Sequence, residues 1–406
     1  MFSGQVWFVK LSQLIQNVSF IHLLVKKTEE FSVNEQIRQL FPATQKYVYL
    51  NSAAVSPMPK VSAEAVYSQL RDVSENGTIN MQDWLDTKKR CRILVSEMLK
   101  VKFENVAFLR NTSDGFSTIA NGLDWAEGDN IVTFAKEFPA NFYAWKMVRD
   151  KFGIELRTVP ERDGRIDLDE FISLIDANTK LVSISAVQFN SGFRADLERI
   201  GRACRKVDAL FAVDIIQAFG VSEFDLPNQL VDIACGASHK WLFAPEGCGI
   251  IYLSDRARER VEPSLVGWIS VETPWDFNDY EQDWKPNALA WESGTNGSSL
   301  FYGLEQSLKI LHEFGAQKAQ DYLEELTDYL CELLPAKDYK IVSSRAKGEK
   351  SQIVCMMPKE GQHSSQVADY LQSKNVIISP RGERLRVAPH IFNNQTDIEK
   401  LIEELP

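Results

Sequence analysis

From about residue 100 the sequence alternates short apolar runs with stretches of helical periodicity. The apolar runs contain few polar positions and are bounded by turn residues; they are Asn105–Leu109, Asn130–Phe134, Leu181–Ser185, Ala209–Val213, Ile233–Cys235 and Gly249–Leu253. A continuous apolar run predicts a strand covered on both faces, and helical spacers between strands predict parallel pairing. The pattern therefore predicts an α/β fold with a mainly parallel central sheet.

The C-terminal part of the chain has a different pattern. Residues 301–334 carry apolar positions at helical spacing. Two short strands are predicted near 352–356 and 376–378, and a last helix at 396–405. These elements predict a smaller α+β domain that comes after a linker near Trp291–Ser299.

We divide the chain into four predicted parts: an N-terminal extension 1–35, a segment 36–55 that packs on the small domain, a large domain 56–295 and a small domain 296–406. The extension contains an apolar run, Val18–Val25, which Ser19 and His22 interrupt and no small-residue cleavage site follows. A membrane-spanning helix needs about 20 apolar residues, so we expect a local helix there and no membrane or export role.

The composition excludes several classes of protein. Of the 406 residues, 44% are hydrophobic and 25% are charged, which is typical of a globular chain with an ample core. The net charge of -11 argues against nucleic acid as a partner. The six cysteines lie far apart without a CxxC pair, so we expect reduced thiols and a cytoplasmic protein. The five histidines form no HExxH motif, so no metal site is predicted.

Ligands of open α/β sheets bind beyond the carboxyl ends of the strands, so the residues directly after each predicted strand are the candidates for a site. Thr112 and Ser113 come after the first strand and open a helix, whose free backbone N–H groups suit a phosphate, although a simple helix cap accounts for them equally. Phe138 comes after the second strand and is able to cover a flat ring, although an aromatic residue at such a place is more often core.

Two ionisable residues come after the next strands at the same predicted edge. Asp214 ends an apolar strand, where a buried carboxylate needs a cationic or hydrogen-bonding partner. Lys240 stands between apolar residues, which favours an amine nucleophile, although a lysine with only its stem buried fits as well. Pyridoxal phosphate (PLP) needs a lysine, an acid, a stacking group and a phosphate pocket. All four at one sheet edge predict a PLP site.

The chain resembles the class V aminotransferase family, which includes cysteine desulfurases, kynureninase and isopenicillin N epimerase-like proteins. The resemblance extends from Tyr49–Ala54 to Arg386–Asn394, and its most specific parts are Val213–Gln217, Ser238–Lys240 and Ser293–Asn296. It implies a PLP-dependent transferase-like fold (aspartate aminotransferase fold type I), with a large domain around the mainly parallel sheet and a small α+β C-terminal domain. The resemblance also implies that the protein is an enzyme, a PLP-dependent transferase or lyase.

The resemblance implies roles around the cofactor ring. Lys240 matches the lysine that forms the Schiff base with PLP, and Asp214 matches the partner of the pyridinium nitrogen. Gln217 matches the residue that hydrogen-bonds the phenolic oxygen. Phe138 stands where desulfurases have a histidine stacked on the ring, so we count it among the catalytic and cofactor-binding residues.

Further positions match the phosphate site of the family. Thr112 and Ser113 match the phosphate-binding turn, and His239 lies beside the phosphate. The small hydroxyl residue that the family has three positions before the lysine is replaced by Ala237, with Ser238 next to it. We therefore assign Ser238 to the phosphate site as the nearest hydroxyl.

Three more positions match residues of the family that contact the substrate or the partner subunit. Arg386 matches the arginine that binds the substrate's α-carboxylate, which suits its bidentate geometry, and Arg381 is a second candidate. Thr295 matches a residue that reaches the phosphate of the neighbouring subunit, which implies a homodimer. Only Gly382–Leu385 separates the two arginines, where desulfurases carry a mobile loop with a nucleophilic cysteine.

The sequence leaves the reaction open between transamination, β-elimination, racemisation and side-chain cleavage of a small amino acid. The alternatives are a cysteine desulfurase or selenocysteine lyase with an atypical or missing cysteine, and a non-catalytic protein on the same fold. A nicotinamide dehydrogenase lacks support because no GxGxxG turn is present. A serine hydrolase lacks support because Gly236–Lys240 does not form a nucleophile elbow.

The cysteines argue against an efficient cysteine desulfurase. That reaction needs a reactive, partly exposed thiolate that reaches the cofactor. Cys355 lies in an apolar predicted strand, and Cys235 and Cys248 lie in or beside strands. We expect all three to be inert core thiols.

Overall fold

The structure of the protein is a computed structural model that describes residues 35–406. Apart from residue 35, the predicted extension with its apolar run Val18–Val25 lies outside the described residues. The helices are residues 35–39 (α1), Lys60–Asn76 (α2), Met81–Leu99 (α3), Thr112–Gly122 (α4), Ala140–Phe152 (α5), Leu168–Ser173 (α6), Leu197–Lys206 (α7), Asp255–Arg258 (α8), Ser298–Phe314 (α9), Ala316–Leu333 (α10), Ser364–Ser373 (α11) and Gln395–Glu404 (α12).

A seven-stranded sheet forms the centre of the large part of the molecule. Its strands are Val106–Leu109 (β2), Asn130–Phe134 (β3), Glu155–Val159 (β4), Thr179–Ser185 (β5), Leu210–Asp214 (β6), Ile233–Ala237 (β7) and Gly249–Leu253 (β8). They lie in the order β2-β8-β7-β6-β5-β3-β4, and β8 is antiparallel to both of its neighbours, whereas the other pairs are parallel. The predicted α/β fold with a mainly parallel sheet is confirmed.

The central strands are apolar throughout because each face of the sheet has its own core. In β6, Phe211 and Val213 belong to one apolar cluster, whereas Leu210 and Ala212 belong to a second cluster. Alternate residues of a strand point to opposite faces, so a strand covered on both sides needs apolar residues at every position. The edge strand β4 is half-exposed along most of its length, which explains why its apolar signal did not predict it.

The C-terminal part contains a four-stranded antiparallel sheet. Its strands are Lys340–Ile341 (β9), Val354–Met357 (β10), Ser379–Arg381 (β12) and Arg384–Val387 (β13), in the order β12-β13-β10-β9. The short strand Val48–Tyr49 (β1) pairs in parallel with Val376–Ile377 (β11). The first described strand is thereby joined to elements near the end of the chain.

The proposed division at residues 295/296 stays a prediction, and α9, which comes after it, packs on elements that come before it. Leu304, Leu308 and Leu311 of α9 belong to the same apolar cluster as Phe108 of the large sheet. The helix itself lies against α2 and α3. None of the helices within residues 35–406 has the length and apolar character needed to cross a membrane.

Candidate active site

A cavity of about 340 Å³ lies at the carboxyl edge of the parallel strands. The large sheet, residues 53–55 and the β12–β13 hairpin all contribute to its wall. Nine of the residues predicted from the sequence line it: Thr112, Ser113, Phe138, Asp214, Gln217, His239, Lys240, Arg381 and Arg386. Four of the predicted strands thus bring the residues at their ends to one place, as a doubly wound sheet requires.

Asp214 is the last residue of β6 and is 1% exposed. Its Oδ1 accepts a hydrogen bond from the Ile216 backbone N–H at 2.9 Å, whereas its Oδ2 has no partner among the described residues. Burial raises the pKa of Asp214 to about 6, and the Ile216 hydrogen bond and the nearby Lys240 amine oppose that rise. A buried carboxylate with a free oxygen is costly unless a donor approaches it.

Lys240 comes after β7 and is 7% exposed. Its Nζ lies 5.0 Å from the centre of the Phe138 ring. Burial lowers the pKa of Lys240 to about 8; the Asp214 carboxylate raises it, and the guanidinium groups of Arg386 and Arg381 lower it further. About half of the amine is therefore neutral, and so nucleophilic, near pH 8.

The phosphate end of the predicted site is the first turn of α4. Asn111 caps the helix by accepting a hydrogen bond from the Asp114 N–H at 2.9 Å, and the buried Thr112 Oγ1 has no partner among the described residues. Gly249 of β8 permits this arrangement, because a Cβ there would lie 2.5 Å from the Asn111 backbone nitrogen. The unused N–H groups of a helix N-terminus together with a free hydroxyl suit a phosphate.

Gln217 and His239 complete the ring end of the cavity. The Gln217 side chain donates to the Ala53 carbonyl at 3.1 Å and accepts from Trp241 Nε1 at 2.8 Å. One amide hydrogen of Gln217 therefore remains for a ligand. Burial and then the Lys240 charge lower the pKa of His239 below its usual value, which favours the neutral ring.

Arg386 of β13 is 1% exposed, and its Nη1 donates to the Phe189 carbonyl at 3.0 Å. Its Nε and Nη2 have no partner among the described residues. Burial, followed by the charge of Arg381, lowers the pKa of Arg386 to about 9, so it is still a cation at neutral pH. A buried guanidinium with two unused donors is suited to a carboxylate.

Two predicted positions do not face this cavity. The Ser238 hydroxyl donates to the Pro245 carbonyl and is fully buried, and Ser238 is not part of the cavity wall. Its assignment to the cofactor phosphate is corrected on that geometry. Thr295 lines a different cavity of about 410 Å³, together with Trp268 and Trp275. Within a single chain Thr295 is therefore not part of the site around Lys240.

Two residues near the site were not assigned a role from the sequence. Phe189 comes after β5 and meets Phe138 edge to face, with ring centres 5.3 Å apart. Glu137 is buried and accepts hydrogen bonds from the Ser185 N–H at 2.7 Å and from Gln188 Nε2 at 2.8 Å. Burial raises the pKa of Glu137 to about 7 despite those bonds. Both residues come shortly after strands, so the strand-end rule that found Phe138 would have found them.

The residues of this cavity fit PLP. The unpaired Asp214 Oδ2 suits a ring N–H, the Lys240 amine suits a carbonyl carbon, and the free Thr112 hydroxyl lies at a helix N-terminus that suits a phosphate. No group of three or more metal-ligating side chains is placed to hold a metal ion in residues 35–406. The six cysteines all belong to the described part of the chain, and none of them lines the cavity.

Comparisons with known proteins agree with this geometry. The profile of the family "Aminotransferase class-V" matches residues 48–400. A probable cysteine desulfurase of Methanothermobacter thermautotrophicus is 24% identical over 401 residues, covering 92% of this chain and 98% of the relative. The apo cysteine desulfurase of Thermococcus onnurineus NA1 has a TM-score of 0.81 at 22% identity, covering 91% of this chain and 96% of that chain.

A third similar protein carries the cofactor. It is a variant of C-DES, a cystine C–S lyase, with glycine covalently linked to its PLP, and it has a TM-score of 0.80 at 21% identity over 91% of this chain and 98% of that chain. These likenesses confirm the predicted fold type, and the family match covers most of the chain. The chain belongs to the class V aminotransferase family and is a PLP-dependent enzyme that acts on amino acids.

Proposed function

We propose that the enzyme binds PLP through Lys240 and rearranges bonds at the α-carbon or side chain of an amino acid held by Arg386. The observation that carries this proposal is the pairing of a buried amine with a buried, half-satisfied carboxylate at one sheet edge. Lys240 and Asp214 both belong to the cavity wall, and the charge of each acts on the pKa of the other. PLP supplies a carbonyl carbon that condenses with amines and a ring that accepts electrons.

The chain's own residues prepare that chemistry. Asp214 Oδ2 accepts a hydrogen bond from a protonated ring nitrogen and keeps it cationic, which strengthens the ring as an electron acceptor. Lys240 Nζ, with its pKa near 8, takes a proton from the substrate's α-carbon and is able to return it elsewhere. Arg386 Nε and Nη2 bind the α-carboxylate and so orient the bond that breaks.

Thr112 and Ser113 bind the cofactor phosphate at the start of α4, and His239 packs nearby. Phe138 closes one side of the cavity, where its ring both covers the Lys240 amine and excludes water. Gln217 gives its remaining amide hydrogen to the ring's oxygen substituent.

Borohydride reduction of the purified yellow protein, followed by peptide mapping, tests the lysine assignment. We expect the reduced adduct on Lys240 alone. The matched control is Lys180, which lies on the same sheet but is bound to Asp124 and Asp129 outside the cavity. An adduct on any other lysine, or a protein without visible absorbance after PLP is added, would contradict the proposal.

We further propose that this enzyme is not an efficient cysteine desulfurase. Cys355 lies opposite Arg386 in the β10–β13 pair, but it is fully buried and burial raises its pKa to about 12. Its thiol is therefore neither ionised nor accessible at neutral pH. The assay is alanine and sulfide formation from cysteine with a reductant. Rapid alanine formation that one cysteine substitution abolishes would restore the desulfurase. We also propose a cytoplasmic location, which the six free cysteines support because thiols stay reduced there.

We propose a homodimer in which Thr295 reaches the partner's cofactor. An exposed aromatic group lies beside Thr295: Trp268, Trp275 and Phe277 are 39%, 53% and 64% exposed and contact one another. Such a patch is typical of a subunit interface. Sedimentation should give a dimer, and mixing Lys240→Ala with Thr295→Ala chains should recover activity. A fully active monomer would contradict this.

A further inference from the structure

Three arginines lie on one face of the β12–β13 hairpin. In this antiparallel pair Arg381 stands opposite Arg384, and Ser379 stands opposite Arg386. Residues opposite each other across an antiparallel pair share a face, and so do residues two apart along a strand. Arg381, Arg384 and Arg386 therefore present three cations to the same side of the sheet.

The three cations differ in their partners. Arg384 forms an ion pair with the buried Glu161 at 2.6 Å and donates to the Asn190 carbonyl at 3.1 Å. By contrast, neither Arg381 nor Arg386 has a carboxylate within 4.0 Å among residues 35–406, and each donates only to one backbone carbonyl.

The cost of burial makes this difference informative. A buried cation without an anion is unfavourable, because it loses water and gains no charge partner. Arg386 is almost fully buried, and burial lowers the pKa of the partly exposed Arg381 as well. The arginine outside the cavity has its own carboxylate, whereas the two inside it have none. Arg386 is therefore left to pair with the anion of a ligand, and Arg381, in the same cavity wall, is available for a second anion.

The cavity wall has more cations than carboxylates. Among the described residues, Asp214 is the only carboxylate in the wall, and the proposed function already commits it to the cofactor ring. The cofactor phosphate is held at the start of α4. One α-carboxylate satisfies Arg386, and Arg381 is still without an anion.

We propose that the substrate is an amino acid with a second anionic group on its side chain, bound by Arg381 while Arg386 binds the α-carboxylate. This inference rests on the proposed function. The apolar part of the wall supports it, because Ala53, Val55, Phe138, Phe189 and Ile216 offer no side-chain donor or acceptor to a neutral polar side chain. In such apolar surroundings the charge of Arg381 discriminates strongly between anionic and neutral groups.

Calorimetric titration of the PLP-loaded enzyme with unreactive acids of matched length tests the proposal. Succinate and butyrate differ only in the second carboxylate, and so do glutarate and valerate. We expect the diacid of each pair to bind at least about tenfold more tightly, which is the low end for a charge-assisted hydrogen bond. A third titration with 3-phosphonopropionate compares a phosphate-like group with the second carboxylate of succinate. The compound that binds more tightly shows which of the two anions Arg381 accepts.

Two variants separate the effect of the Arg381 side chain from the effect of removing any one positive charge. Arg381→Gln should remove most of the diacid preference, with a much larger loss of diacid than of monoacid affinity, whereas Lys374→Gln, which removes an exposed cation outside the cavity, should change neither. Equal binding of diacid and monoacid by the wild type, or an equal loss of both in Arg381→Gln, would overturn the proposal. A missing Lys240 adduct would instead overturn the proposed function, so the two failures are distinguishable.

Discussion

Glu292 and Asp214 are both buried carboxylates of the large part of the molecule, but their surroundings differ. Glu292 accepts hydrogen bonds from Lys88 at 2.6 Å, from Arg92 at 2.7 Å and from the Phe108 N–H at 2.9 Å. Burial alone would raise the pKa of Glu292, but Arg92 and Lys88 outweigh it and lower the pKa to about 2. Asp214 has one hydrogen bond and a free oxygen, and burial raises its pKa to about 6.

The contrast shows that burial does not by itself mark a functional carboxylate. Glu292 joins α3 to the edge of the sheet and is fully satisfied, so it has nothing left to offer a ligand. The fold leaves Oδ2 of Asp214 without a hydrogen-bond partner among the described residues, so a cofactor is able to donate a hydrogen bond to it.

The largest expected effect comes from removing the satisfied carboxylate. Glu292→Ala should lower the free energy of unfolding by about 3–5 kcal/mol, because it leaves the buried Arg92 and the partly buried Lys88 without their anion. Urea unfolding followed by circular dichroism measures the change. Glu292→Gln keeps the shape and is the control, with a smaller loss expected. A loss below about 1 kcal/mol for Glu292→Ala would show that the ion pairs are not what holds α3 to the sheet.

Glu137 is a third buried carboxylate to compare with Glu292 and Asp214, because it accepts several hydrogen bonds but has no cationic partner within residues 35–406. Its pKa is raised from 4.5 to about 7, so the folded state binds more protons than the unfolded state in that interval. In the cofactor-free protein the contribution of Glu137 to the unfolding free energy should therefore fall as pH rises from 4.5 to 7, by about 3 kcal/mol at most. Glu137→Gln should lack this component, and parallel pH curves for the two proteins would refute the assignment.

Asp214→Asn tests the other side of the comparison. The pKa of Asp214 is raised from 3.8 to about 6, so its carboxylate should cost stability increasingly as pH rises through that interval. Without cofactor, the variant should be more stable than the wild type at pH 8, by up to ~3 kcal/mol. The loaded variant should lose about a hundredfold in rate. A destabilised apo variant, or one with full activity, would contradict the role given to Asp214.

The smallest effect concerns one of the two cations of Glu292. Lys88→Gln should lower the unfolding free energy by about 1–2 kcal/mol, because a charge-assisted hydrogen bond is lost while Arg92 still pairs with Glu292. The pKa of Glu292 should rise as a result. Lys89→Gln, at the exposed neighbouring position, is the matched control and should change neither quantity.

Sequence reasoning was strongest where a physical rule is local. Continuous apolar runs predicted β2, β3, β5, β6, β7 and β8, and the strand-end rule brought Asp214 and Lys240 into one predicted site. The sequence does not show in which direction a side chain points just after a strand. For that reason it places the Ser238 hydroxyl at the phosphate, whereas in the structure this hydroxyl donates a hydrogen bond to the Pro245 carbonyl.

Pairings between segments that are far apart in the chain could not be predicted from the sequence either. Glu292 and its partners on α3, or Arg384 and Glu161, are far apart in the chain, and nothing local distinguishes a paired arginine from an unpaired one. The difference between Arg381 and Arg384 is therefore visible only in the folded molecule.

The parallel pairing of β1 with β11 has a consequence for synthesis in the cell. Val48 is synthesised long before its partner Val376, because the two residues are far apart in the chain. Residues 53–55, which come after β1, and Arg386, which comes after β11, both belong to the cavity wall. A nascent chain that has not reached residue 376 therefore lacks two sides of the cavity, although it already contains Asp214 and Lys240. Ligands that bind only the native state stabilise it by mass action, so cofactor and substrate protect finished chains selectively.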